Sequence, residues 1–550
     1  MDNSRRFTTD WLLLAGFCAC LFFFGLAYFG LMGPNEPRYA QVAREMLARH
    51  DWITPTLGGK PWLEKPVLYY WQAMLVYSVF GVSDWAARLP SALDATLMVI
   101  GVYLFLRRFR PELRLDGALM TASAAGTIGF ARAASMDMAL AASFTIALLA
   151  WFGWQESGEK KYLAAYYAFL GIGMLAKGPV APGLGALIVV LFAAARGEWE
   201  QLKKTVWLPG VILFCAVALP WYIAVQLRTP EFFRVFVLEN NLARFGTNLY
   251  HHSQPFWYYL PVALLELVPW IALITAALIE IVRAWHAERR ELARSEDSFS
   301  VFLVIWLMAP IVFFSISRSK LPGYILPALP AGTLLVTEFL RRHIHNRPGG
   351  ALALIHALVA ALPVVPALMI QYLLFQHRLP WGKATVISSG FAIALGAGIF
   401  LTLRSQPGWK VVRFVTLIPV AVAVAALLRI GSPALDSTLS VRPLANQIQH
   451  MENGVLPTAV FRVPRQTEYG LAFYRNQTIA RYESGEIPAV EHVVVAPVGS
   501  ETALAKMVVG RRVSYLGSYE PQGLDYYWIA GQGQALHPST GRELPRQAGR

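Results

Sequence analysis

The chain has 550 residues, 56% of them apolar and only 15% charged, with a net charge of +14. Soluble domains carry about 25% charged residues, so this balance and a mean hydropathy of +0.44 exclude an ordinary soluble or disordered chain. The surplus of Lys and Arg reads as the cytoplasmic loops of a membrane protein, and no nucleic acid is expected among its partners.

Taken in order, hydropathy predicts about thirteen spans. They lie near 11–32, 88–106, 115–131, 138–154, 162–176, 179–195, 205–226, 256–282, 299–317, 322–340, 351–375, 383–403 and 412–430. The first run, Trp11 to Met32, is long for the apolar core of a cleaved signal and shows no small-x-small site; it is read as a retained span. Alternate connections carry Arg5-Arg6, Arg107-Arg108, Lys160-Lys161, Lys203-Lys204, Arg289-Arg290 and Arg341-Arg342. The positive-inside rule turns these to the cytoplasm. The connections 33–87, Ala133–Asp137, Lys177–Pro179, 227–255, Ser317–Pro322 and 376–382 then face outward.

Beyond about residue 430 the chain becomes more polar. Strand-like runs (Thr458–Arg462, His492–Ala496, Val513–Gly517, Tyr526–Ile529) alternate with helix-like ones (Tyr469–Tyr474, Ala503–Val509). The domains expected are a transmembrane part over 1–430, with interfacial helices in its first outer loop 33–87, and an outer α/β domain over 431–550. Cys18, Cys20 and Cys215 all lie in apolar runs and offer no disulfide or zinc spacing.

The outward connections collect ionisable groups. The first loop holds Asn35-Glu36-Pro37-Arg38-Tyr39 and, between aromatics, Glu64-Lys65-Pro66. Ser135-Met136-Asp137 opens the fourth span, Lys177 sits in a tight turn, the fourth outer loop carries His251-His252, and Ser317 to Tyr324 includes Arg318 and Lys320. Each has a bland reading. Lys177 and Lys320 could snorkel to headgroups, Asp137 could be a helix N-cap, and the histidines could be plain loop residues. Together, cations disfavoured on this side by the positive-inside rule, set among carboxylates, suit a bound phosphate.

Asn35-Glu36-Pro37-Arg38-Tyr39-Ala40 with Ala43-Arg44-Glu45-Met46-Leu47, then Glu64-Lys65-Pro66, then Ser319-Lys320-Leu321-Pro322-Gly323-Tyr324-Ile325-Leu326-Pro327 resemble the bacterial lipid A aminoarabinose transferases. These are GT-C glycosyltransferases related to protein O-mannosyltransferases. The resemblance implies a polytopic α-helical GT-C fold in a bacterial inner membrane, with the active site facing the periplasm. It implies a sugar carried on undecaprenyl phosphate, a lipid A phosphate as acceptor, membrane lipids around a monomer, and resistance to polymyxin and other cationic peptides as the outcome. The family opens its first-loop pair with Asp; here Asn35 stands there and cannot take a proton.

On this reading Asn35, Glu36 and Asp137 are the catalytic candidates. Arg38, Lys65, Lys177, Arg318, Lys320 and Tyr324 are the donor-phosphate candidates. Glu64, His251 and His252 offer ligands for a divalent ion such as zinc, although the lysines could do the same electrostatic work. Arg465, Glu468 and Tyr474 are candidates in the tail for holding a large acceptor. Rival readings are a transferase using another sugar or a glycan or protein acceptor, and a flippase for a lipid-linked substrate. A transporter would show paired broken helices and ionisable groups at mid-span; here the polar density sits at one face.

Overall fold

A computed structural model describes residues 3–243, 254–288, 298–374, 381–452 and 454–532. The chain divides into two compact units. One comprises residues 1–29 and 42–434, and the other residues 30–41 and 435–550.

The first unit is helical. Seven described helices are long and apolar enough to cross a membrane, or eight if one bent pair counts as a span; the chain is a multi-pass membrane protein. Among them are Asp84–Phe109, Met136–Ser157, Leu208–Arg228 and Ser298–Ile316. The remaining expected spans are also helical, but shorter or broken, so length and composition do not support the count of thirteen. Residues 115–131 form two helices, Arg114–Ser123 and Ala125–Ala131, separated by an extended Ala124. In 322–340, Pro322, Pro327 and Pro330 lack the N–H that a helix interior needs, and two short 3-10 turns precede the helix Leu329–His343. The stretch 256–282 is cut into Phe256–Glu266 and Ile271–His286, bent by 116°. Phe105, Phe152, Phe192, Phe299 and Phe302 pack edge and face against one another in the core, where aromatic pairs add to plain burial.

The first outer loop contains the helices Asn35–Ala48 and Leu68–Phe80. Between them lies the hairpin β1 (Thr56–Leu57) and β2 (Lys60–Pro61). Gly58 and Gly59 both have positive φ, as a two-residue hairpin turn favours. The Glu45 carboxylate accepts the N–H of both glycines and the Thr56 hydroxyl, at 2.8, 3.1 and 2.9 Å.

In the second unit, β3 (Thr458–Val460), β4 (Ala480–Arg481), β5 (His492–Pro497), β6 (Val513–Tyr519) and β7 (Leu524–Ile529) form one sheet of order β4-β3-β5-β7-β6. The pairs β3/β4 and β3/β5 are parallel, and β5/β7 and β6/β7 antiparallel. Side chains alternate between the faces. Val493 and Val495 pack with Leu444, Ile448 and Leu471, whereas Val494 and Ala496 pack with Leu504 and Val508. Helices cover both faces, which is why β5 is a continuous apolar run.

Candidate functional site

Within the helical unit, the helix Met136–Ser157 starts from Ser135, whose backbone is extended and whose Oγ accepts the Asp137 N–H at 3.1 Å. Ser135 is the N-cap, and the reading of Asp137 as a cap is corrected: Asp137 already lies in the first turn, where its side chain is available for other contacts. Its Oδ2 accepts the Ser135 hydroxyl at 2.7 Å, and its Oδ1 pairs with Lys177 Nζ. Lys177 ends the helix Lys160–Lys177, a position that suits a cation, and Gly178 stops the helix with φ +90°. The ammonium also lies 4.5 Å from the centre of the Tyr324 ring. Tyr324 belongs to the 3-10 turn Pro322–Tyr324. Gly323 permits the approach, since a Cβ there would stand 2.7 Å from Asp137 Cγ and from Phe130 Cε1. Three expected residues, Asp137, Lys177 and Tyr324, thus meet from three separate connections.

The neighbouring turn separates its two cations. Lys320 is buried and donates to the carbonyls of Ser317 and, at 3.1 Å, Gln254; burial pushes its ammonium below the ordinary lysine range. Arg318 is exposed and is not joined to the Asp137–Lys177 group among the described residues. Tyr259 Oη donates to Leu321 O at 3.1 Å and accepts the Leu321 N–H at 3.2 Å, fixing the turn to the helix Tyr259–Glu266. Glu266, at the end of that helix, is 8% exposed, and among the described residues neither carboxyl oxygen has a hydrogen-bond partner. Hydropathy placed Glu266 inside a span; only the fold reveals its isolation. Glu64 and Lys65 lie half-buried between β2 and the helix Leu68–Phe80.

Asn35, Glu36 and Arg38 group with the second unit. Their segment is a strap held by the tail. Gly30 N–H donates to Asp436 Oδ1 at 2.7 Å, Leu31 N–H donates to Tyr474 Oη at 2.6 Å, and Met32 bridges to Ser440. A Cβ on Gly30 would lie 2.2 Å from Ser440 Oγ and 2.5 Å from Tyr474 Oη, so only glycine lets the strands of chain come this close. Glu36 Oε2 accepts the Met32 N–H at 2.7 Å. Arg38 Nη2 donates to Asn35 Oδ1 at 2.7 Å, and its guanidinium lies 5.6 Å from the Tyr469 ring. Of the tail candidates, Tyr474 holds the strap, whereas Glu468 lies 3.7 Å from Arg481 and its acid is pushed up by burial. Arg465 begins the helix Arg465–Arg475.

His251 and His252 lie outside the described residues. Among the described ones, no group of three His, Cys, Asp or Glu converges as a metal site would require.

Residues 64–223 match the family described as dolichyl-phosphate-mannose-protein mannosyltransferase. An undecaprenyl phosphate-alpha-4-amino-4-deoxy-L-arabinose arabinosyl transferase of Pseudomonas aeruginosa is 34% identical over 363 residues, 64% of this chain. The chain spans 62% of that relative's length. A second protein of the same description, from Pseudomonas fluorescens, is 30% identical over 381 residues, 67% of each chain. The crystal structure of ArnT from Cupriavidus metallidurans bound to undecaprenyl phosphate superposes with a TM-score of 0.74 at 23% identity, covering 94% of this chain and 98% of that one. That likeness extends the agreement in fold to nearly the whole length. The helical architecture, the matched family and the relatives agree, and the chain belongs to the ArnT-like aminoarabinose transferase family of GT-C membrane proteins.

Proposed function

We propose that the chain is a glycosyltransferase that moves 4-amino-4-deoxy-L-arabinose from undecaprenyl phosphate to a lipid A phosphate at the periplasmic face of the inner membrane, with its C-terminal unit a periplasmic α/β domain. The observation that carries this reading is the meeting of Asp137, Lys177 and Tyr324 at the ends of three connections, beside the buried Lys320. In the reaction the bond from the sugar C1 to the donor phosphate oxygen breaks, and a bond from C1 to an acceptor phosphate oxygen forms. The departing polyprenyl phosphate is a stable anion and needs a positioned positive charge rather than a proton. Lys177, held by Asp137 and Tyr324, would supply it in a partly dry site, where such groups are worth several kcal/mol.

A phosphate monoester has a second pKa of about 6 and arrives largely ionised. It needs no general base, which reconciles the reaction with Asn35; a hydroxyl acceptor would need one. Asn35, hydrogen-bonded to Arg38, cannot take a proton. Attaching a cationic sugar lowers the negative charge of lipid A, and with it the affinity for polymyxin and other cationic peptides.

Purified protein, undecaprenyl phosphate–aminoarabinose and lipid A test the reading by mass spectrometry. Added aminoarabinose on lipid A is expected. Transfer only to a hydroxyl-bearing glycan or protein would overturn the phosphate acceptor. Asn35→Asp is expected to change transfer by less than about tenfold; a rise of many orders of magnitude would show that the missing carboxylate is essential.

A further inference from the structure

Asp137 has Lys177, but among the described residues neither carboxyl oxygen of Glu266 has a hydrogen-bond partner, while the residue is 8% exposed. Burying a carboxyl without a partner costs several kcal/mol, and an ionisable side chain inside a span marks a functional site by default. The position adds to this. Glu266 is the last residue before the 116° break in its helix pair. In membranes, irregular backbone is tolerated where it is buried in protein or lines a cavity, and broken helices form the midplane sites of transport proteins. Gly126 of the helix Ala125–Ala131 leaves room for the side chain, since a Cβ there would come within 2.9 Å of Glu266 Cβ. Asp137, Tyr258 and Tyr259 all lie within electrostatic reach of the carboxyl.

A second carboxyl beside Asp137 works against a phosphate ligand. It is suited to a ligand that carries a positive charge as well as a negative one. We infer that Glu266 is the subsite for the protonated amino group of the transferred sugar, and so the contact that selects an amino sugar over its hydroxyl counterpart. The site then has two poles. Lys177 and Tyr324 face the donor phosphate, and Glu266 faces the ammonium. The inference rests on the transferase reading above and names which feature of the donor that site recognises. The amine arrives protonated and pairs with the Glu266 carboxylate, and a proton held by the buried acid leaves to solvent as the ammonium enters.

The test compares two donors, undecaprenyl phosphate carrying 4-amino-4-deoxy-L-arabinose and the same lipid carrying L-arabinose, by kcat/KM. Wild type is expected to prefer the amino donor by about a hundredfold, because a site built for a polar group rejects the analogue that leaves it unpaired. Glu266→Gln, nearly isosteric but uncharged, is expected to bring the ratio within a few fold of unity, chiefly through a higher KM for the amino donor. Glu266→Asp restores the charge and is expected to recover most of the preference. A merely structural Glu266 would slow both donors alike and leave the ratio unchanged, which would overturn the inference. Equal use of the two donors by wild type would overturn it without any variant, so misfolding of Glu266→Gln does not protect it. Absence of transfer from either donor would overturn the transferase reading itself and the inference with it; transfer with no discrimination overturns only the inference.

Discussion

The two ends of the helical unit handle charge in opposite ways. At the arginine-rich end, carboxylates are tied to guanidinium groups. Arg110 lies 3.2 Å from Glu156 and 3.6 Å from Glu338, Arg341 lies 2.9 Å from Glu338, and Arg342 lies 3.2 Å from Glu280. At the other end, a single lysine pairs with Asp137 and stands over a tyrosine, while Glu266 has no hydrogen-bond partner among the described residues. Arginine forks match carboxylates bidentately and stay charged, so they suit permanent pairs. A lysine with one partner and an unpaired acid suit a site that completes itself with a ligand. The contrast shows that a count of intramembrane charges says less than which of them are already paired.

Removing Lys177 is expected to have the largest effect. Lys177→Ala should lower the rate of sugar transfer by about 10²–10³-fold, with the protein still eluting as a single folded species in detergent. Arg110→Ala at the opposite end should do the reverse. It should cost about 1 kcal/mol of stability, because the buried Glu338 would lose its 3.6 Å partner but keep Arg341, while transfer per folded molecule stays near wild type. If both variants lose activity without losing stability, the contrast between the ends fails.

The strap offers a sharper comparison. Gly30→Ala should destabilise the second unit by about 1–3 kcal/mol through overpacking against Ser440 and Tyr474. Tyr474→Phe should cost about 1–2 kcal/mol by leaving the Leu31 N–H without its acceptor. Hydrogen exchange at Gly30, Leu31 and Met32 reads both, and unchanged protection would mean the tail does not hold the strap.

The smallest effect is one of pH. His492 in β5 is buried, accepts or donates at Tyr482 Oη (2.5 Å), and lies beside Arg511. Burial, with the Arg511 charge adding to it, holds its imidazole below the usual 6.5. The unfolded chain therefore binds this proton more readily, so the stability it contributes is complete above pH 6.5 and is lost as pH falls through the folded-state value. Thermal unfolding between pH 7 and 5 should show that loss for the wild type, and His492→Gln should flatten it.

Hydropathy made the long helices legible because a span is a composition signal. Breaks such as Ala124, an ordinary alanine between helical runs, carry no such signal, because its extended backbone is not encoded in its residue type. Lys177 and Tyr324 were legible as polar groups in apolar surroundings. That they meet Asp137 depends on Gly323, whose role appears only when the turn is packed against Asp137. Two motif acids proved to hold backbone: Glu45 caps the glycine hairpin and Glu36 takes the Met32 N–H. Arg318 and Lys320, two residues apart and alike in sequence, end in opposite environments, one exposed and one buried. Sequence could not rank them, because burial is decided by Ser317 and Gln254 carbonyls that converge only in the fold.

The strap has a consequence for biosynthesis. Gly30 and Leu31 bond to partners 406 and 443 residues further along. At roughly 5–20 residues per second, the segment bearing Asn35 and Arg38 leaves the ribosome roughly 20–90 s before its anchors exist. A segment made early is therefore among the last to be fastened, and a chain released before Tyr474 would carry its spans without the fixed strap.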